Sequence, residues 1–217
     1  MEGSEPFKND KMKTTKTPII PDKTYHLYNH ANADKNLFRS DDNYVFFLKR
    51  YSDFLAGYFD TYAYCLMPNH FHFLIRVKPF QPIQNQDEDK NSMAVLEMAY
   101  RRKVTNAIKN WIISYTNSYN KMFGFTGNLF VQKIRRILVD DDEYFRNLVS
   151  YIHLNPVLHE FVKKPEDWKY SSYSAYFSAK PTKIDKSTVL RYFDDLENFK
   201  YCHDLRRIEK FAKEMEF

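Results

Sequence analysis

The most constraining feature of this 217-residue chain is a pair of β-prone runs separated by two turn residues. Residues 58–67 (YFDTYAYCLM) and 70–77 (HFHFLIRV) are rich in Tyr, Phe, Leu, Ile and Val, and Pro68-Asn69 stands between them. Aromatic and β-branched side chains suit a pleated, half-buried surface. A short polar connection between two such runs closes an antiparallel hairpin. An isolated hairpin is marginal in water, so the remaining chain must supply partner strands and covering helices.

Those partners are readable in order. Residues 25–29 (YHLYN) alternate like a short strand. Ser40-Asp41-Asp42 is a helix start, and Tyr44, Phe47, Leu48, Tyr51 and Leu55 continue at helical spacing. Residues 80–91 read as a loop. Residues 92–122 read as a helix with one apolar stripe, Val104, Ile108, Trp111, Tyr115, Tyr119 and Met122. Gly124 and Gly127 terminate it. Residues 129–139 read as a strand. Asp140-Asp141-Asp142 caps a helix over 142–155, and Pro156 is expected to stop it. An aromatic, turn-rich stretch (167–177, DWKYSSYSAYF) and two short helices complete the chain. This order predicts an α+β fold with an antiparallel sheet. The expected organisation is a disordered arm over 1–20, one main domain over 21–177 and a helical extension over 178–217.

Composition narrows the class further. Aromatic residues are 18% and apolar residues 43%, too many for wholesale disorder. No run of about 18 apolar residues marks a membrane span, and the first residues lack the apolar stretch of a secretory leader. Two cysteines cannot build a disulfide framework, so a reducing, cytoplasmic setting is expected. Cys65, between Tyr64 and Leu66, reads as a small buried hydrophobe.

The net charge of +5 is unevenly spread. Residues 100–139 contain no Asp or Glu and carry Arg101, Arg102, Lys103, Lys109, Lys121, Lys133, Arg135 and Arg136. Residues 61–86 also lack acids. Such segregation suits a phosphate backbone, and a basic solvated surface accounts for it equally well.

Two short patterns carry possible chemistry. On a strand, His70 and His72 share one face, with Phe71 and Phe73 on the other. Two imidazoles on one face make half a metal site, although two exposed strand histidines give the same pattern. On a helix, Tyr151 and Asn155 stand one turn apart on one face, with Phe145, Val149 and Ile152 on the opposite one. That pair suits a nucleophile beside a third ligand, although taken alone the motif favours an ordinary helix end with an exposed, snorkelling tyrosine. Together, two His and one amide oxygen would leave coordination positions open for a phosphate, and a phenol could attack phosphorus.

The segment AYCLMPNHFHFLI (residues 63–75) resembles the metal-binding hairpin of HUH endonucleases, specifically single-tyrosine transposases. Further segments are similar to that family: residues 25–29, SYTNSYNKMFGFTGNLFVQKIRRILV, and YFRNLVSYIHLNPV (residues 144–157). DWKYSSYSAY is similar to the stretch that follows in REP-associated tyrosine transposases. One departure is Asn29-His30-Ala31, where relatives read Asn-Arg-Gly. The resemblance covers about residues 24–176.

The resemblance implies a ferredoxin-like central sheet with flanking helices, and an HUH domain over 21–177. It implies cleavage and rejoining of single-stranded, hairpin-flanked DNA through a 5′-phosphotyrosine, assisted by Mg²⁺ or Mn²⁺, in a bacterial cytoplasm. It assigns His70, His72 and Asn155 to the metal and Tyr151 to the nucleophile. His153 diverges by roughly 200° around the helix from its neighbours of that motif and is left out. Arg101, Arg102, Lys103, Lys133, Arg135 and Arg136 are the candidate DNA contacts. A monomer and a homodimer both remain open, and no membrane partner is expected.

Three rivals stand beside this reading. A non-catalytic nucleic-acid-binding module would expose aromatics on its central strands. A zinc hydrolase would need a carboxylate base near the histidines. A replication initiator or relaxase would share the chemistry. Trp111 and Tyr115 are expected in the core. Phe123, Phe125 and Phe130 are weaker candidates for base stacking than for packing, and His26, His30, His159 and His203 have no assigned role.

Overall fold

A computed structural model describes residues 17–33, 35–81, 90–131 and 133–215, with the side chains of 90–92 left aside. The order is β1 (Thr24–His30), α1 (Asp41–Leu55), β2 (Phe59–Met67), β3 (His70–Val77), α2 (Lys90–Phe123), β4 (Arg135–Val139) and α3 (Asp142–Leu158). Three short helices follow: α4 (Lys186–Arg191), α5 (Leu196–Cys202) and α6 (Leu205–Met215). The strands pair antiparallel in the order β2-β3-β1-β4. A βαββαβ chain with this strand order is the ferredoxin-like arrangement, as the sequence led us to expect.

Strand alternation decides what each sheet face meets. Tyr25, Leu27, Phe71, Phe73, Ile75 and Val77 face α1 and α2 and form one core with Phe47, Tyr51, Leu55, Val104, Ile108 and Trp111. Trp111 is fully buried, its ring 4.8 Å from Phe47, 5.4 Å from Phe71 and 5.7 Å from Phe73. Tilted and edge-on aromatic pairs of this kind add to their burial energy. On the opposite face Ala63, Cys65, Met67, Leu74 and Val139 pack against α3 through Phe145, Leu148, Val149 and Ile152. The C-terminal helices join that second core through Val189, Phe193, Phe199, Ile208, Ala212 and Met215. The sheet is therefore covered on both sides, which is why β1 is buried along its whole central length.

Several boundaries differ from the sequence reading. The helix read from residue 92 begins at Lys90, and most of the loop read over 80–91 lies outside the described residues. At its other end the apolar stripe stops at Tyr119, because Met122 is 64% exposed. Gly124 takes φ 66° there, and the Phe125 N–H bonds back to Asn120 O at 3.0 Å, the left-handed stop that glycine permits.

The last strand is shorter than 129–139. Phe130 meets Ala31 in an isolated bridge, and regular pairing resumes only at Arg135. Pro156 does not end α3, which continues to Leu158. A proline in a final turn sacrifices one backbone bond, and Glu160, at φ 60°, turns the chain immediately afterwards. Asp141 caps the other end, its carboxylate accepting from the Tyr144 N–H at 2.7 Å.

Three helices occupy the extension instead of two. Of the arm, residues 1–16 lie outside the described residues. Ile19 is buried at 3% exposure rather than disordered, with its carbonyl held by Arg101 Nε at 2.7 Å. Among the described residues no helix is long and apolar enough to cross a membrane.

Candidate active site

The face of the sheet that meets α3 carries an unusual set of side chains. In β3, His70 and His72 point to it. In β1, the register sets Tyr28 opposite His72 and His30 opposite His70. The β2–β3 turn is pinned from both sides: Ala31 N–H bonds to Asn69 O at 2.7 Å and Phe38 N–H to Pro68 O at 3.1 Å. Helix α3 crosses the same face and brings Tyr151 and Asn155, one turn apart, over the histidines.

The contacts are close. His70 Nε2 lies 2.7 Å from Asn155 Oδ1, and His70 Nδ1 lies 2.8 Å from Asn69 Oδ1. His72 Nδ1 lies 2.8 Å from His26 Nε2. The Tyr151 ring meets His72 edge-on, centroids 5.6 Å apart. His30 stacks on His70 at 5.0 Å, and His159, just past the end of α3, meets His70 edge-on at 5.3 Å. All four residues assigned to the site by resemblance are thus brought together across 85 positions of sequence. Tyr151 is 4% exposed, contrary to the exposed tyrosine expected of a helix end, because Phe211 of α6 packs edge-on against it at 6.0 Å.

Burial sets the protonation of the histidine pair. It pushes the His70 pKa down to about 3 and holds His72 well below the ordinary histidine range. Neutral rings keep a lone pair for a metal. The His72 tautomer that donates Nδ1–H to His26 leaves its Nε2 lone pair available, the orientation a neighbouring group commonly gives a metal-bound imidazole.

The surroundings of His70 test whether an ion fits. A neutral imidazole has one N–H, yet amide oxygens stand at both its nitrogens. With Nδ1–H given to Asn69, the Nε2 lone pair and the Asn155 oxygen face each other at 2.7 Å with no proton between them. A cation accepting both lone pairs satisfies that contact, as does half a turn of either amide. Asn155 is fully buried and its amide nitrogen has no hydrogen-bond partner. The donor set fits one small divalent cation. Among the described residues no three His, Cys, Asp or Glu side chains converge as ligands, so a site on His70 and His72 would need the Asn155 oxygen as its third protein donor.

No family model matches the chain. A protein of Haemophilus influenzae named "Putative REP-associated tyrosine transposase" is 27% identical over 115 residues, 53% of this chain. The chain is similar to a REP-associated tyrosine transposase. It spans 59% of the length of that relative. A solved structure described as "Structure of the REP associates tyrosine transposase bound to a REP hairpin" aligns with a TM-score of 0.49 at 19% identity, covering 78% of this chain and 89% of the other.

Beside this likeness to a REP-associated transposase, the basic residues distribute unevenly. Arg135 lies on the site face, its guanidinium 6.0 Å from the Tyr28 ring centroid. Arg136 points to the other face, where it donates to Thr17 O and burial lowers its pKa. Lys133 is exposed but precedes β4, outside the regular strand although it falls within the strand read over 129–139. Arg101 holds the Ile19 carbonyl and lies 3.9 Å from Glu97. Arg102 and Lys103 are exposed on α2, on the side of the sheet away from Tyr151. Of the six candidate DNA contacts, the structure joins only Arg135 to the site.

Sequence reasoning missed His26, Tyr28, His30 and His159. The signal was present for three of them: His26, Tyr28 and His30 repeat the period of two that singled out His70 and His72. His153 stays apart from the site, as expected. It is buried with Nδ1 2.8 Å from His203 Nε2 and Nε2 2.8 Å from Ser172 Oγ. Phe123 and Phe125 lie beside Arg39, Phe125 being 37% exposed, whereas Phe130 is core.

Burial also holds His153 well below its ordinary value and pushes His203 down to about 4. Together with His70 and His72, these rings stay neutral in the fold while the unfolded chain takes up protons near pH 6.5. Stability is therefore complete above that pH and is lost as pH falls toward 4, at up to about 1.4 kcal/mol per pH unit for each ring. The thermal midpoint of chelator-treated protein should drop steeply between pH 6.5 and 5 by circular dichroism. A flat profile would contradict the buried neutral histidines.

Proposed function

We propose that the protein is a transposase-type endonuclease that cleaves and rejoins single-stranded DNA beside a hairpin, using Tyr151 as nucleophile. The observation that carries this reading is the convergence of Tyr151, His70, His72 and Asn155, from two separate segments, with His70 Nε2 and Asn155 Oδ1 2.7 Å apart. The likeness to a REP-associated tyrosine transposase supports the substrate class.

His70, His72 and Asn155 would hold Mg²⁺ or Mn²⁺, with water and phosphate completing the shell. A bound ion would supply Lewis-acid polarisation of a non-bridging phosphate oxygen. Tyr151 then supplies the bond chemistry. Its phenol oxygen attacks phosphorus, losing its proton, and the bond to the 3′ oxygen breaks. The 3′ oxygen leaves as a free hydroxyl, and the 5′ phosphate remains on the tyrosine. Attack by a 3′-OH reverses the exchange without an external energy source. Arg135 contributes positive charge on the same face.

His26 acts through His72 by fixing its ring. Its replacement by Ala should weaken metal affinity about 10- to 100-fold, measured by the Mn²⁺ concentration giving half-maximal cleavage. An unchanged requirement would remove that role.

The rival binding module needs an open aromatic sheet face, whereas here α3 lies over one face and α1 and α2 over the other. The direct test is incubation with labelled single-stranded hairpin oligonucleotides from the flanks of the protein's own gene, with Mg²⁺ or Mn²⁺, then denaturing electrophoresis. A protein–DNA adduct mapping to Tyr151 is expected. Binding without an adduct across metals and sequences would overturn the reading in favour of the binding module.

A further inference from the structure

Beyond the end of α3 lies a groove of about 540 Å³ that the chemistry above does not use. Leu154 and Val157 of α3 form part of its lining, with Lys163 and Lys164 from the following loop and Lys200 and Tyr201 from α5. The three lysines are exposed, and no carboxylate among the described residues pairs with them. The acid that lines the groove, Asp204, is already engaged by Arg206 at 2.6 Å. Glu166 and Asp167 follow the lysines in sequence but do not line it. Tyr201 is 60% exposed, and the Arg207 guanidinium lies 3.6 Å from its ring centroid.

Unpaired cations beside an exposed aromatic ring are the two components of a sequence-tolerant single-strand track: phosphates meet the charges and bases stack on the ring. Guanidinium planes serve as stacking surfaces as well. Position adds to this. Val157 is six residues beyond Tyr151 on one helix, about 9 Å along its axis. The α3 residues of the lining therefore lie within about 9 Å of Tyr151 along the axis of the helix that carries the proposed nucleophile.

We propose that this groove, with Lys163, Lys164 and Lys200 on phosphates and Tyr201 on a base, binds a single-stranded DNA segment flanking the reacting phosphate. The choice of DNA rests on the proposed function; the binding itself does not require the Tyr151 chemistry.

The test measures binding of (dT)20 by fluorescence anisotropy over a range of salt. Replacing Lys163, Lys164 and Lys200 by Ala together should weaken binding at least about tenfold at low salt. It should also flatten the log–log salt dependence by about 2, since each phosphate contact on a single strand contributes about 0.7. Tyr201→Ala should weaken binding about fivefold or more with an unchanged salt slope. These side chains are exposed, and unchanged circular dichroism verifies folding; Arg at the three lysine positions should restore affinity.

Equal (dT)20 binding by wild type and both variants overturns the proposal. So does a polyglutamate competitor that displaces (dT)20 as well as unlabelled (dT)20 does, which would make the groove a general anion surface. The two readings fail separately. An adduct at Tyr151 with (dT)20 binding unaffected by the variants removes the groove alone. Loss of (dT)20 binding in the variants, with no adduct from any hairpin, removes the nuclease alone.

Discussion

Replacement of Tyr151 by Phe is expected to abolish covalent attachment of DNA while leaving hairpin binding and the fold largely intact. The substitution deletes one hydroxyl and keeps the ring that packs edge-on against His72 and Phe211. A lost hydrogen bond at such a place costs on the order of 1 kcal/mol, small beside the stability of a domain of this size. The chemical effect has no such cushion. Without a phenol oxygen there is no atom to hold the 5′ phosphate, so adduct formation should fall below detection. Denaturing electrophoresis of wild type and variant with the same labelled hairpin decides it. Persistent adduct in the variant would move the nucleophile elsewhere, with other tyrosines as the next candidates.

The second large effect falls on the histidine pair. His70→Ala and His72→Ala each remove one of two imidazoles from the proposed three-donor set, and the remaining two donors should not hold a divalent ion at ordinary concentrations. Lewis-acid stabilisation amounts to several kcal/mol, so cleavage should fall about a thousandfold or more. Excess Mn²⁺ should restore little of it, and a chelator should reproduce the loss in the wild type. Hairpin binding provides the control, since the lost rings lie in the buried centre of the site. Cleavage at the wild-type rate by either variant, or in chelator, would remove the metal from the reaction.

The pattern of success and failure in reading this sequence has physical causes. The hairpin, β1 and both long helices were legible because period two and period 3.6 are local properties of the chain. So was the pairing of Tyr151 with Asn155, which needs only helical spacing. The tyrosine's burial was not legible. It depends on Phe211, sixty positions later, in a segment without a readable motif. Arg136 and Arg101 looked like DNA contacts because charge alone carries no direction. In the fold both are turned to backbone carbonyls of the N-terminal segment. His26 and His30 lacked meaning until the β1–β3 register set the strands side by side.

By itself, then, the sequence determined the secondary elements, their βαββαβ order and which residue types share each face, because those follow from the backbone's own periodicities. The tertiary structure decided which faces meet. It brought α3 onto the histidine face of the sheet, buried the rings so deeply that they stay neutral, and left three lysines and a tyrosine in a groove at the end of the same helix. Burial and the convergence of distant segments are properties of packing, and no local pattern encodes them.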